Sequence, residues 1–486
     1  MKKNRRNLEQ LDFGPPAAER DILSGLQNYF VESQSYRRLK KGGKSILLGN
    51  RGTGKSAIFR VLAAHYRQQG YVVIELTPED YSYEMLSRTL TEEHKGAWAK
   101  VGAYTASWKY LIYVLIMARI LDKAPNLKKR EAKEIYKFLR DNHQGFQNSP
   151  LEILISYLKR FDQLKLGLLD ASIKVRKLQT LYKLEEISRL LPILETVCAH
   201  IPVAVFVDEL DRGWDASEDA KAFVSGLFQA AMSINQTIQN TRVMISLRQE
   251  MYNSIPTLYE DAQKVWDLIE VIRWDKLSLL GLIAKRIAYS FTELHEKSAN
   301  QCWNTVFASG NSVESFDYLI DRTLYRPREI IQFCIQATEL AIERREFPIS
   351  FESVKEVESL YSEHRTKDIA AEYRFQYPEL LKVFEAFRGR PHTLERTVLE
   401  EICLEIILTE MTGTHGVQWL QDQEPEFLIT ILWEIGFLRA QVKGNAGNGG
   451  PTFLGSHEIS TLNLKSVDRF DIHPMFRANL GMESSA

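Results

Sequence analysis

The stretch "LLGNRGTGKSAIF" (Leu47–Phe59) decides how the rest of this chain is read. In it Gly49 is followed, after four residues, by Gly54, Lys55 and Ser56, which is the phosphate-binding loop pattern G-x-x-x-x-G-K-[ST]. Its flanks supply the context such a loop needs. "SILLG" before it is a short apolar run bounded by glycines, as a buried strand should be. "KSAIFRVLAAHYRQQG" after it spaces Ile58, Val61, Leu62 and Tyr66 at helical intervals and stops at Gly70. Strand, loop and helix would converge backbone N–H groups on a phosphate, with the helix N-terminus adding positive potential. Lys55 would reach the β/γ-phosphates and the Ser56 hydroxyl would face Mg²⁺. The nucleotide-binding residues expected on this reading are Gly49, Asn50, Arg51, Gly52, Thr53, Gly54, Lys55, Ser56 and Ala57.

A metal-bound triphosphate needs an acidic group at the end of a second buried strand, and "IPVAVFVDELDRGWD" provides one. Val203–Val207 is a continuous β-branched and aromatic run ending in Asp208 and Glu209. Asp208 is expected to hold Mg²⁺ through water, and Glu209 to orient and deprotonate the attacking water. Asp211 is the next candidate base, and an acidic solvated turn is the alternative reading. Further strands are expected at Tyr71–Pro78, Thr241–Leu247 and Leu268–Trp274, giving a five-stranded parallel α/β core. Arg248, at the carboxyl end of the fourth strand, is expected either to sense the γ-phosphate or to pair with a nearby acid.

Bulk composition narrows the class. The 486 residues allow about two to four domains, and 44% apolar residues suffice for ordinary cores. Sixty-two Lys and Arg oppose sixty-three Asp and Glu, so net charge exerts no global pull toward nucleic acid or anionic lipid. Cys198, Cys302, Cys334 and Cys403 are far apart and read as reduced core thiols of a cytoplasmic protein, not as a zinc site. No apolar region follows the basic N-terminus, so no signal peptide is expected. In "YLIYVLIMARIL" only nine residues separate Lys109 from Arg119, too few to cross a bilayer, so no membrane contact is expected.

Between the second and third strands, Tyr81–His200 reads as a helical insertion of about 120 residues, far longer than an ordinary connection. Its middle carries Lys123, Lys128, Lys129, Arg130, Lys133, Lys137 and Arg140 against Asp122, Glu131 and Glu134. That is either a solvated charged helix or a basic face for DNA or an acidic protein. From Leu277 an all-helical region follows, in which Pro327 suits a first helical turn flanked by Arg326 and Arg328. Arginines at a helix start oppose the helix dipole, so one of them is expected to meet a phosphate or a carboxylate of the core. Beyond Tyr377 the order helix, ribbon, glycine-rich tip "GNAGNGGPT" and closing strand reads as winged-helix-like. Pro391–Ala440 holds nine acids against two bases, a formal −7, which favours a protein contact over a phosphate backbone.

Taken together, "LLGNRGTGKSA", "VFVDELD", "ISLRQ" and "YRPREIIQF" resemble the AAA+ and STAND group of P-loop ATPases, near the origin-recognition-like branch. The opening "FGPPAAERDILSGLQNYF" resembles the segment that helps hold adenine there. The resemblance implies a parallel P-loop NTPase sheet with the large helical insertion (1–276), an all-helical lid (277–370) and a winged-helix-like domain (371–486). It implies ATP and Mg²⁺ as cofactors, Lys55 and Ser56 on phosphate and metal, Asp208 and Glu209 as the acidic pair, Arg248 as first sensor and Arg328 as the lid's second sensor. The chain is also similar to a bacterial family of P-loop ATPases suspected of anti-phage roles. No trans-acting arginine finger can be named, which leaves ring assembly open. The expected function is a regulatory ATPase switch acting on a protein effector or through self-assembly. The alternative is a DNA-handling ATPase, such as a loader or a regulator of transposition or replication, and Glu209 argues against a scaffold without turnover.

Overall fold

A computed structural model describes residues 8–18, 20–21, 25–77, 97–123, 129–143, 184–212, 214–259, 266–310, 314–412, 418–442, 452–459 and 461–482. Lys128, the glycine-rich tip up to Pro451 and much of the helical insertion lie outside these residues. Two compact units emerge, one formed by Glu32–Arg51 and Lys55–Arg273, the other by Met1–Val31, Gly52–Gly54 and Trp274–Ala486.

The first unit is built on a parallel sheet of β1 (Ile46–Gly49), β2 (Val72–Leu76), β3 (Val203–Val207), β4 (Thr241–Arg248) and β5 (Ile269–Val271), in the order β2-β3-β4-β1-β5. Every residue of β1 and β3 is buried, as expected of strands covered on both faces. The strand expected at Leu268–Trp274 spans only Ile269–Val271; Leu268 closes a single 3₁₀ turn, Trp266–Leu268, ahead of it. Register matters more than length here. Gly49 stands opposite Arg248 across the β1–β4 ladder, and Val207 opposite Ile245 across β3–β4. The strand ends that carry the loop, the acidic pair and Arg248 therefore open on one edge of the sheet, where open α/β sheets bind ligands.

The helix α1 (Lys55–Gln68) follows the loop directly and buries Ile58, Phe59, Leu62, Ala63 and Tyr66. The apolar stretch of the insertion forms α2 (Ala97–Lys123), whose Trp108, Leu111, Ile112, Ile116 and Ile120 are all buried. A helix apolar on most sides belongs in a core, and this one packs on α4 (Glu218–Thr237). Trp108 Nε1 donates to the Phe223 carbonyl at 3.1 Å. The described basic residues from Lys129 to Arg140 lie on α3 (Lys129–His143), where Arg130, Lys133, Lys137 and Arg140 are exposed. Among the described residues no helix is long and apolar enough to cross a membrane.

In the second unit α5 (Lys276–Ser290), α6 (Ala299–Val306), α7 (Pro327–Arg344) and α8 (Glu358–Glu372) share one apolar core with a C-terminal module. That module contains α9 (Arg396–Thr412) and α10 (Pro425–Glu434). It also holds an antiparallel sheet of β6 (Thr393–Glu395), β7 (Leu438–Val442), β8 (Thr452–Gly455) and β9 (Arg469–Ile472), ordered β6-β9-β7-β8. The short β6 and β8 escaped the sequence reading because runs of three and four residues carry too little alternation. Arg439 of β7 joins Asp321 at 2.8 Å and Asp471 at 2.6 Å, tying the helical region to the sheet. The N-terminal segment joins this unit through Arg286 of α5, which pairs with buried Asp21 at 2.9 Å and donates to the Phe13 carbonyl.

The packing of α2 on α4 leaves no room at Gly226. A Cβ there would stand 2.5 Å from Tyr104 Cβ and 2.8 Å from the Thr105 nitrogen. Gly226→Ala is expected to destabilise the protein by about 1–3 kcal/mol through overpacking, despite a helix-propensity gain of about 1 kcal/mol. Denaturant unfolding checks this, and nucleotide affinity of the folded variant should be unchanged.

Candidate functional site

The loop leaves β1 at Gly49 and enters α1 at Lys55, so Lys55 and Ser56 occupy the first helical positions. Gly52 and Gly54 have φ of +83° and +94°, the left-handed conformation that turns successive N–H groups toward one concavity. The Lys55 ammonium donates to the carbonyls of Gly49 at 2.8 Å and Asn50 at 3.1 Å, which folds the lysine back along the loop. Burial holds its pKa below the usual lysine range. Glu250 is the strongest of the acids opposing that shift, ahead of Asp211 and Asp208, while Arg248 adds to it.

At the end of β3 the Asp208 N–H donates to the Leu76 carbonyl at 3.1 Å, so β2 steadies the start of the acidic turn. Glu209 follows with φ +58°, uncommon outside glycine and a frequent mark of a functional turn. Its carboxylate pairs with Arg212 at 2.6 Å. Arg248 pairs with Asp211 and lies 3.5 Å from buried Glu250. Of the two readings open to Arg248 from the sequence, the structure shows the pairing with a nearby acid, at the carboxyl end of β4.

Within the second unit, the Arg328 N–H donates to the Gly52 carbonyl at 3.2 Å, Arg328 Nε to the Pro16 carbonyl at 3.4 Å, and Trp274 Nε1 to the Thr53 carbonyl at 2.9 Å. A side chain at Gly52 would collide with Arg328, its Cβ falling 2.9 Å from Arg328 Cβ. Arg326 and Arg328, equivalent in the sequence, are separated by their surroundings. Arg326 is buried, pairing with Glu372 at 2.7 Å and Glu329 at 3.6 Å. Burial opposes its charge, but Glu372 and Glu329 outweigh it and hold the guanidinium above its ordinary range. The carboxylates expected from the core come instead from α7 and α8, and no phosphate is needed to explain Arg326.

The sequence reading missed Glu250 and Arg212 beside Arg248 and Glu209 in the first unit, and Trp274 beside Thr53 in the second. Glu250 was legible as the acid two residues past Arg248, whereas Trp274 carried no signal before folding brought it to Thr53. The donor set suits Mg²⁺, since the Ser56 hydroxyl and the Asp208 carboxylate are hard oxygens and no sulfur or imidazole is among them. A triphosphate suits the loop, with two left-handed glycines, a helix start and an ammonium at hand. Bound Mg²⁺ would neutralise charge building on the phosphate oxygens. Among the described residues no group of three His, Cys, Asp or Glu is placed to hold a metal by itself, and the four cysteines are buried and form no disulfide.

Residues 277–370 match the model of the FunZ-associated C-terminal helical domain. Over 482 residues, 98% of this chain, the protein is 24% identical to the putative transposon gamma-delta 80.3 kDa protein of Escherichia coli (strain K12), 67% of which is covered. Among solved structures it is similar to Drosophila ORC bound to DNA, with 12% identity, 98% of this chain and 93% of that chain covered and a TM-score of 0.31. It is also similar to the Aeropyrum pernix ORC2 protein in its ADPNP–ADP complexes, with 11% identity, 98% and 99% covered and a TM-score of 0.32.

Removing one partner from a buried ion pair strands the other charge. Arg326→Met is therefore expected to cost about 3–5 kcal/mol of stability. The ratio of ATP to ADP affinity in the folded fraction should not change, as thermal unfolding and equilibrium nucleotide titration will show.

Proposed function

We propose that this protein is a Mg²⁺-dependent P-loop ATPase that works as a regulatory switch on a protein partner. The observation that carries this reading is the sheet register, which brings the Gly49–Ser56 loop, Asp208 with Glu209, and Arg248 to one edge of a parallel sheet. In the proposed reaction water attacks the γ-phosphorus and its proton passes to the Glu209 carboxylate. The β–γ bridging oxygen leaves with the bonding pair, giving ADP and phosphate. Lys55 and the loop N–H groups hold the β- and γ-phosphates, and Ser56 and Asp208 hold the metal. Arg248 and Arg328 would answer to the γ-phosphate, the latter supported by its backbone bond to Gly52. We read residues 1–276 as the ATPase core, 277–370 as the lid and 371–486 as a winged-helix-like output module. The excess of acids over Pro391–Ala440 supports a protein partner for that module.

Lys55→Ala is expected to abolish ATP binding while leaving the fold intact. Glu209→Gln should bind ATP but hydrolyse it at least about a hundredfold more slowly, the scale of a lost general base. Titration of labelled nucleotide and phosphate-release assays measure the two. Unchanged affinity in the first variant or unchanged turnover in the second would refute the corresponding role.

A second reading, DNA handling, is favoured by the exposed Arg130, Lys133, Lys137 and Arg140 of α3, with exposed Tyr136 among them. The similarity to a putative transposon protein points the same way. If α3 meets duplex DNA, Lys133→Ala with Lys137→Ala will weaken binding by the full chain and flatten its salt dependence by about two phosphate contacts. Binding that is undetectable at low salt, or indifferent to these changes, leaves the protein-partner reading alone.

A further inference from the structure

The tetrapeptide Glu209–Arg212 holds opposite charges beside both reactive candidates. The Arg212 N–H donates to the Glu209 carbonyl at 3.2 Å, an i to i+3 bond that closes a turn and sets the first and last side chains together. Leu210 inside it is 1% exposed and anchors the turn in the core. Glu209 enters with φ +58°, so its backbone is committed to this turn. The two ends then form an ion pair, Arg212 Nε to Glu209 Oε2 at 2.6 Å. The Glu209 side chain is 12% exposed, and that of Arg212 is 52% exposed. The next acid of the turn, Asp211, engages Arg248.

Resting on the reading of Glu209 as general base, we propose that Arg212 is a positioning residue that restrains hydrolysis by holding the Glu209 carboxylate in an ion pair. A base must present a lone pair to the attacking water, and a guanidinium nitrogen 2.6 Å from Oε2 draws on that oxygen through the ion pair. Because Arg212 lies half in solvent, its pairing energy is that of a near-surface bridge, weak enough to be broken during turnover. The Asp211–Arg248 pair has the same sense, since it engages the arginine expected at the γ-phosphate. One short turn thus keeps the base and the sensor paired.

The test is steady-state ATP hydrolysis with the full chain, alongside equilibrium ATP binding. Arg212→Ala is expected to raise kcat about three- to fivefold, the scale of a half-exposed ion pair, with KM and ATP affinity unchanged. Arg212→Lys, which keeps the charge, should stay within about twofold of the wild-type rate. Arg212→Ala combined with Glu209→Gln should be as slow as Glu209→Gln alone. If Arg212→Ala leaves kcat unchanged or lowers it while Glu209→Gln is inactive, the restraint is refuted and the base assignment stands. If Glu209→Gln turns over at the wild-type rate, the base assignment itself fails. Circular dichroism of each variant separates these outcomes from unfolding, which the exposure of Arg212 makes a minor concern.

Discussion

Everything proposed for this protein depends on the hydrogen-bonded register of one parallel sheet. A parallel ladder fixes each strand against its neighbour to the residue, and a slip of one would turn every buried side chain to the opposite face. With Gly49 opposite Arg248 and Val207 opposite Ile245, residues roughly 150 to 200 positions apart in sequence share one edge. The order β2-β3-β4-β1-β5 sets β1 between β4 and β5, so the loop after Gly49 leaves from inside the sheet. Apolar burial along β1 and β3 secures this arrangement, and the polar residues beyond their ends are what it positions.

Around that edge the charges pair with one another. Lys55 turns back onto two carbonyls of its own loop, Glu209 meets Arg212, and Arg248 meets Asp211 and Glu250. Such pairing follows from burial, because an isolated charge at low dielectric costs several kcal/mol and a partner offsets most of that. A ligand carrying several negative charges would compete with the Gly49 and Asn50 carbonyls for Lys55, and with Asp211 and Glu250 for Arg248.

The second unit joins parts that are distant in the chain. Asp21, Tyr29 and Arg286 form a buried cluster in which Tyr29 donates to Asp21 and the Arg286 guanidinium lies 4.5 Å from the Tyr29 ring centre. The N-terminal segment is thereby fastened to α5 by charge and stacking together. At the other end of the unit Arg439 spans Asp321 and Asp471, and Asp471 also receives Arg477 at 2.5 Å. The C-terminal sheet and the helical region are consequently bound by a shared polar network as well as by a common apolar core.

The amino-acid sequence by itself determined the local pieces: the phosphate-loop spacing, the β-branched run into Asp208 and Glu209, the apolar periodicity of α1, and the acidity of Pro391–Ala440. The first three were legible because they depend on residues close together in the chain, and the fourth because a charge count needs no structure. The short strands β6 and β8 were not, since three or four residues carry little periodic signal and gain their pairing only from neighbours. Nor could the sequence separate Arg326 from Arg328, which flank the same proline. Only tertiary structure set the first between Glu372 and Glu329 and the second beside Gly52, because burial and charge partners are properties of residues brought together from far along the chain. The same holds for Trp274 at Thr53 and for the close approach of Gly226 to Tyr104, which depend on packing geometry that no local pattern encodes.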